Sequence, residues 1–375
     1  MSYLNNHTKI FELLSNKIIE KGKITFKEFM QTALYQPESG YYTGRNIDIG
    51  KTGDFYTSSN VHPVFGWCIA QQIYDMWETM GNPSDFIILE LGAGTGMLAK
   101  DILSYLKKNF QGCFEHITYQ ILEVSSTLME KQQVTLNDFQ EKLQWGTPQE
   151  PIIGVIFSNE FFDALPVHRV KKIGGEIKEL YIVLKDGKFS ELYDDLSEKE
   201  EIMDYLETSG VKLKEGQQIE VCLEAKRWVD KIAAFLKKGF HLAIDYGYLA
   251  SELDWPHRFD GTLMCYKNHK AVTNPYMDLG EQDITAHVNF SALQSFGEKA
   301  GLVNTGFTNQ MKFLVNLGIF EKMQIQSSGF SQGNEKKNLA LKRLIMPEGM
   351  GETFKVLIQH KRLKNFSLKS LKNFG

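Results

Sequence analysis

The stretch that decides the fold is Phe86-Ile-Ile-Leu-Glu-Leu-Gly-Ala-Gly-Thr-Gly96, where an apolar run leads directly into three glycines at every second position. Residues 86–91 have the length and apolar character of a buried strand, and a helical pattern begins at Met97. Glycine is needed where the backbone takes positive φ or approaches a ligand closely, and the start of the next helix offers free N–H groups. The stretch predicts a strand–turn–helix unit that holds a polar or anionic ligand at the turn.

Further apolar runs of strand length follow at 117–124, 152–158 and 240–246, with amphipathic segments between them. Most of these runs are apolar nearly throughout, as in a parallel sheet that is covered on both faces. Strands that alternate with helices predict a doubly wound α/β sheet. Two C-terminal runs, 301–308 and 352–361, would complete a sheet of seven strands.

The pattern divides the chain into three parts. Residues 1–60 hold two short amphipathic helices followed by a turn-rich loop. Residues 167–215 hold three strand-like pieces joined by Gly-Gly and Asp-Gly turns and then an acidic helix, which predicts an inserted β-meander subdomain. Residues 61–166 and 216–375 are assigned to the core domain.

The composition excludes several classes of protein. A net charge of -4 over 375 residues creates no global field toward nucleic acid or an anionic membrane. The widely spaced cysteines favour neither a zinc ribbon nor a disulfide framework, and no metal-ligand motif is present. No run reaches the ~18 to 20 apolar residues of a membrane-spanning helix. Because the N-terminus also lacks signal- and transit-peptide features, the sequence predicts a cytoplasmic protein with no nucleic-acid partner, no membrane insertion and no metal.

The spacing of the glycines narrows the ligand. E-x-G-x-G-x-G is associated with S-adenosyl-L-methionine (SAM), whereas dinucleotide enzymes favour G-x-G-x-x-G, so a NAD-dependent oxidoreductase is disfavoured. An acid at the end of the next strand, Glu123, is expected to bind ribose hydroxyls. A turn with no ligand and an ordinary helix-capping acid are the alternatives. The predicted cofactor contacts here are Glu90, Gly92, Gly94, Gly96 and Glu123.

The strand at 152–158 runs into Asn159-Glu-Phe-Phe-Asp-Ala-Leu-Pro166, which is unusually acidic and aromatic for a chain leaving a core. Ligands of doubly wound sheets bind at the carboxyl ends of the strands where the strand order reverses, so Asn159 and Glu160 should lie near the cofactor. The N-P-P-[YF] motif of amino-base DNA methyltransferases is replaced here by Asn-Glu-Phe-Phe, and a carboxylate suits a guanidinium instead. The alternative is a residue that simply caps a short helix.

Motifs along most of the chain resemble the MidA-like family of SAM-dependent methyltransferases, which includes the mitochondrial complex I assembly arginine methyltransferase. The motifs are ALYQPESGYYT, GDFYTSS, ELGAGTG, SNEFFDALPVH, AIDYGY, GTLMCYKNH, DITAHVNF and GMGETFKVL. Two departures occur: the family's Gly-Pro-Gly-Arg-Gly is Gly-Ala-Gly-Thr-Gly here, and its Pro-Glu after GDF-x-T-S is Ser59-Asn60. The resemblance implies a class I seven-stranded methyltransferase fold, SAM as cofactor and an arginine of a protein, in some members a complex I subunit, as acceptor.

The resemblance also implies roles for single residues. Glu160, helped by Asp163, would orient the acceptor guanidinium, and His287 lies in a segment similar to the Thr-His loop that faces the acceptor in arginine methyltransferases. Asp54, Thr57 and Ser58 would belong to a lid over the cofactor. A structural histidine and an Asx-type turn are the alternatives for these two segments. For the whole chain, the alternatives are a non-enzymatic assembly factor that retains the fold and a methyltransferase with another acceptor.

Overall fold

The computed structural model describes residues 6–44, 62–253, 258–267, 270–325 and 334–372. The chain divides into two compact units. The meander unit comprises Met1–Phe55, Phe162–Trp228 and Tyr248–Phe296, and the sheet unit comprises Tyr56–Phe161, Val229–Gly247 and Gly297–Gly375. The predicted N-terminal part and the predicted insertion both fall mainly in the meander unit, while the predicted domain boundaries remain a proposal.

The helices and strands are numbered in chain order over the described residues. The helices are α1 Asn6–Lys21, α2 Phe26–Tyr35, α3 Val64–Thr79, α4 Met97–Asn109, α5 Gln111–Glu115, α6 Ser126–Thr135, α7 Lys199–Ser209, α8 Leu223–Phe235, α9 Ala250–Leu253, α10 Phe290–Lys299, α11 Gln310–Asn316, α12 Ile319–Ile325 and α13 Asn334–Ile345. The strands are β1 Ile24–Thr25, β2 Phe86–Leu91, β3 Ile117–Leu122, β4 Leu143–Trp145, β5 Ile152–Asn159, β6 His168–Ile173, β7 Glu176–Lys185, β8 Lys188–Asp194, β9 Gln218–Val221, β10 Leu236–Tyr248, β11 Met264–Lys267, β12 Lys270–Val272, β13 Asp283–Thr285, β14 Val288–Asn289, β15 Val303–Asn309 and β16 Phe354–Lys361.

Seven strands of the sheet unit lie in the order β15-β16-β10-β5-β2-β3-β4. The strands from β10 to β4 are parallel, and β16 runs antiparallel to both β10 and β15. The chain builds outward from β2 through β3 to β4, and then returns to place β5 on the other side of β2. The doubly wound seven-stranded sheet is therefore confirmed, and its order reverses between β2 and β5.

The covering of this sheet follows from the sequence pattern. Every residue of β5 except Ile153 is buried, and so is every residue of β2 except Ile87, as expected for strands between two layers. Helix α4, which directly follows the glycine-rich turn, buries one stripe of apolar residues at helical spacing. The stripe consists of Leu98, Ala99, Ile102, Leu103 and Leu106. This packing holds the N-terminus of α4 at the carboxyl end of β2.

The meander unit is built on an antiparallel sheet with the order β1-β7-β6-β9, and β8 pairs with β7. The predicted β-meander is confirmed: β6, β7 and β8 are consecutive antiparallel strands. Buried residues of α1, α2 and β7 share one apolar cluster, so the N-terminal helices cover this sheet. Among the described residues, no helix combines the length and the apolar character that crossing a membrane requires.

Candidate functional site

The turn after β2 has the backbone that its glycines predict. Gly92, Gly94 and Gly96 take φ values of 67, 53 and 82°. Residues with a Cβ rarely adopt this backbone region. A Cβ on Gly92 would lie 3.1 Å from the Phe161 ring, so this glycine permits a close approach of the two segments. A Cβ on Gly94 would meet no atom within 4 Å, so the backbone there borders open space. The turn therefore exposes bare backbone at Gly94.

Glu123 lies directly after β3 and is held by hydrogen bonds to both of its oxygens. Its Oε1 accepts from the backbone N–H groups of Val124 at 2.9 Å and Ser125 at 3.0 Å. Its Oε2 accepts from the Gln132 side-chain amide at 3.0 Å. Burial raises the pKa of this carboxyl, and the hydrogen bonds from Ser125, Gln132 and Val124 oppose that rise. The carboxylate is therefore pre-oriented, as a polar ligand group would require.

Gln132, on helix α6, connects Glu123 to the glycine-rich turn. Its Nε2 donates to Gly94 O at 2.9 Å as well as to Glu123, and its Oε1 accepts from Trp145 Nε1 at 3.0 Å. Gln132 is fully buried. Sequence reasoning missed this residue, because a single glutamine in a helix carries no signal until the fold brings three partners to it.

Glu90 lies inside the sheet next to the turn and is 2% exposed. Its Oε2 accepts from the Tyr119 hydroxyl at 2.7 Å. Burial raises the pKa of Glu90 to about 7, against the lowering effect of the Tyr119 hydrogen bond. This acid therefore supports the turn from within the core, and a direct contact with a cofactor remains a proposal.

The turn after β5 also uses a left-handed residue, but that residue is a glutamate. Glu160 has φ of 54°, and its N–H donates to Ile244 O at 3.0 Å. The Asn159 amide donates to Glu160 Oε1 at 3.1 Å. A left-handed conformation costs a residue with a Cβ ~1 to 2 kcal/mol, and such strain concentrates at functional sites. The second turn therefore keeps a side chain where glycine would fit more easily.

Asp245, near the end of β10, anchors this second turn. Its Oδ2 accepts from Phe161 N–H at 3.1 Å, and its Oδ1 accepts from Tyr246 N–H at 2.9 Å. Asp245 is fully buried. Because β2 and β5 are neighbours with Leu91 opposite Ser158, and because Phe161 packs against Gly92, the two turns lie side by side. Within the sheet unit, the predicted residues Glu123, Asn159 and Glu160 are grouped around the glycine-rich turn.

Two predicted catalytic residues lie in the meander unit. The carbonyl of Asp163, a buried residue, accepts from Ala286 N–H at 3.0 Å. The N–H of His287 donates to Thr262 Oγ1 at 3.2 Å. Burial, reinforced by the positive charge of Arg258, lowers the pKa of His287 to about 4. A backbone hydrogen bond thus joins Asp163 to Ala286, the residue before His287. The His287 ring is neutral near pH 7.

The remaining predicted contacts, Asp54, Thr57 and Ser58, and the predicted lid belong to segment 45–61, which lies outside the described residues. They stay predictions. In the part of the chain that the structure describes, no three His, Cys, Asp or Glu residues are grouped in a way that could hold a metal ion.

Proteins similar in sequence over most of their length are named protein arginine methyltransferases. The Drosophila melanogaster protein "Protein arginine methyltransferase NDUFAF7 homolog, mitochondrial" is 28% identical over 94% of this chain and 85% of its own length. The Caenorhabditis elegans protein of the same name is 30% identical over 85% of this chain and 78% of its own. The Homo sapiens protein "Protein arginine methyltransferase NDUFAF7, mitochondrial" is 28% identical over 96% and 86%.

The predicted cytoplasmic location is wrong, because these relatives are mitochondrial proteins by name. The prediction rested on the widely spaced cysteines, on the absence of a membrane-spanning apolar run and on the composition of the first residues. Targeting depends on a short segment that contributes nothing to the folded core, so residues that specify the fold do not specify the compartment.

A solved structure is similar over nearly the whole chain. The crystal structure of a protein from Burkholderia thailandensis bound to S-adenosyl-homocysteine matches with a TM-score of 0.86 and 29% identity, over 97% of this chain and 95% of that one. A family model described as "Putative S-adenosyl-L-methionine-dependent methyltransferase" matches residues 68–308, which include both turns and Glu123. The chain therefore belongs to this family of SAM-dependent methyltransferases.

Proposed function

We propose that this methyltransferase transfers the methyl group of SAM to an arginine side chain of a protein. In this proposal, the Glu160 carboxylate binds the guanidinium through hydrogen bonds. The observation that carries the acceptor assignment is the left-handed backbone of Glu160, which holds a carboxylate beside the glycine-rich turn at a conformational cost. The relatives named protein arginine methyltransferases support the same acceptor.

The residues around the first turn fit the cofactor. The open space at Gly94 lets a ligand approach the backbone, and the N-terminus of α4 directs N–H groups toward that side. Glu123 is a half-buried, pre-oriented acceptor for the two hydroxyls of a ribose. Glu90, Asn159, Asp54, Thr57 and Ser58 complete the proposed contacts. When bound, SAM supplies a methyl group on a positively charged sulfur.

The second turn fits a guanidinium. A carboxylate forms strong, paired hydrogen bonds with arginine, and the aromatic Phe161 beside it limits access of water. Free arginine keeps its proton near neutrality because its pKa exceeds ~12, so the proton must leave while the new bond forms. We propose that Glu160 takes up the proton that leaves the guanidinium nitrogen as that nitrogen forms its bond to the methyl group.

Asp163 and His287 are proposed as acceptor-side residues of the meander unit. A neutral imidazole adds no positive charge that would repel a guanidinium, and burial with the nearby Arg258 keeps His287 neutral at working pH. In its ionised form, the buried Asp163 carboxyl carries a charge of the attracting sign. By family resemblance, we further propose that the protein acceptor is a subunit of a respiratory complex I type enzyme.

The test is transfer of radiolabelled methyl groups from SAM to proteins of a strain that lacks this gene, followed by mapping of the modified residue. The expected result is label on arginine with the wild-type enzyme and a strong loss of label with Glu160→Gln. Label on another residue type would overturn the arginine acceptor. Tight SAM binding without transfer to any protein of the extract would favour a binding factor that retains the fold.

A further inference from the structure

One guanidinium of the chain itself rests on an aromatic ring in the meander unit. The Arg258 guanidinium carbon lies 3.5 Å from the centre of the Tyr248 ring, well inside the ~6 Å range of a cation–π contact. Arg258 Nη1 also donates to the carbonyl of Glu252 at 2.6 Å. Stacking on a ring together with a carbonyl acceptor in reach is an arrangement suited to a planar guanidinium rather than to an ammonium group.

The chain after Arg258 is firmly tied to strand β9. Gln218 N–H donates to Phe259 O at 2.9 Å, and the Gln218 side-chain amide donates to Asp260 O at 3.1 Å. Thr262 donates to Glu220 Oε2 through its N–H at 2.7 Å and through its hydroxyl at 3.0 Å. This fixed backbone keeps the Arg258 side chain next to Tyr248, while its rotatable bonds allow the guanidinium to leave without any unfolding.

The Tyr248 ring lies among residues proposed to act on the acceptor side. Its centre is 5.2 Å from that of the His287 ring. Thr262, which ends the tied segment, accepts the hydrogen bond from His287 N–H. Tyr248 and Arg258 are both only partly buried, so the ring and its present occupant can be reached from solvent.

We infer that the face of Tyr248 and the carbonyl of Glu252 form a seat for an arginine side chain of the protein substrate, and that Arg258 occupies this seat as an internal competitor. The inference rests on the proposed function, because it assumes an arginine-bearing substrate. It adds a specificity-determining seat and a self-inhibitory contact. Removal of the Arg258 guanidinium would open the seat to an external one.

The experiment measures binding of Nα-acetyl-arginine amide to the full chain by ligand-observed NMR, with S-adenosylhomocysteine present. Arg258→Met should bind this ligand about tenfold more tightly than the wild type, since it removes a tethered competitor held by a partly exposed cation–π contact. The double variant Arg258→Met/Tyr248→Leu should lose that gain. Nα-acetyl-lysine amide should show no comparable gain.

Lys23→Met serves as the matched control, because the Lys23 ammonium also lies over a tyrosine ring of the same unit, 3.9 Å from the centre of Tyr181. This variant should leave arginine binding unchanged. Arg258→Gln replaces Arg258→Met if the thermal midpoint of the latter falls. Equal arginine affinity in wild type and variant, or a gain that survives Tyr248→Leu, would overturn the seat. Because the readout is binding, a failure of the arginine acceptor in the labelling assay is seen separately.

Discussion

The turns after β2 and β5 lie side by side and share a left-handed backbone, yet they are built from opposite residue types. The first turn places glycines at all three of its left-handed positions, with φ values of 67, 53 and 82°. The second places Glu160 at φ of 54°. The first turn presents bare backbone at Gly94, and the second presents a carboxylate.

The difference shows which part of each turn is used. Where the backbone contacts the ligand, a side chain would obstruct it, so glycine is suitable and adopts the conformation without strain. Where the side chain is used, a strain of about 1 to 2 kcal/mol is tolerated. Hydrogen bonds from Glu160 to Ile244 O and from Phe161 to Asp245 offset that strain.

The largest expected effect is on the rate of methyl transfer, which should depend on the carboxylate of the second turn. Glu160→Gln should lower the rate of methyl transfer by ~10² to 10⁴-fold, because the amide keeps the shape but cannot accept a proton. SAM affinity, measured by calorimetry, should change little, because the first turn is intact. Asp186→Asn is the matched control, since Asp186 is another left-handed acid, at φ of 49° in the β7–β8 turn. A wild-type transfer rate for Glu160→Gln would remove the distinction between the turns.

The second effect concerns the acid beneath the first turn. The pKa of Glu90 is raised from 4.5 to about 7 in the folded protein, so the folded state holds a proton that the unfolded state releases. The protonated Glu90 side chain therefore contributes stability that is fully present below its unfolded pKa of 4.5. This stability is lost as the pH rises through its folded pKa of about 7. The loss amounts to as much as about 3 kcal/mol.

Urea unfolding of the ligand-free protein from pH 4.5 to 8 checks this effect. The unfolding free energy of the wild type should fall with rising pH relative to that of Glu90→Gln, which cannot titrate at this position. Parallel pH profiles for the two proteins would show that burial does not raise the pKa of Glu90.

The third effect tests whether the first turn depends on its neighbours. Glu123→Ala should weaken SAM binding by ~1 to 3 kcal/mol, the scale of leaving polar groups unpaired. Gln132→Leu should weaken it by a similar amount and also lower the unfolding free energy, because Gly94 O loses its donor inside the protein. Gln140→Leu, which alters an exposed glutamine, is the control. Unchanged SAM affinity in Gln132→Leu would mean that the turn is rigid without this link.

The smallest effect addresses strain directly. Glu160→Gly should raise the unfolding free energy by about 0.5 to 1 kcal/mol, since relief of the left-handed strain exceeds the entropy that glycine adds to the unfolded chain. Methyl transfer should be lost in the same variant. Asp186→Gly should give a similar gain in stability and keep full transfer. A Glu160→Gly protein that is less stable than wild type would show that the side chain stabilises its own turn.

Much of the fold could be predicted from short stretches of sequence. The strands predicted at 86–91, 152–158 and 240–246 are β2, β5 and the central part of β10, and the β-meander was predicted from its turn residues. These features depend on periodicity and on residues that are adjacent in the chain. The supporting residues of the site were not predictable in this way, because Gln132 is recognised only by its buried partners.

The sequence alone determined where the backbone can take left-handed φ values without strain. Gly92, Gly94 and Gly96 lack a Cβ, so these three positions can adopt that conformation. Only the tertiary structure decided which side chains hold the two turns in place. Gln132 reaches a carbonyl 38 residues away, and Asp245 reaches an amide 84 residues away. Those partners meet because β2, β3, β5 and β10 run parallel, which brings their carboxyl ends to one edge of the sheet. Burial of the apolar strands, not any local preference, supplies the free energy for that arrangement.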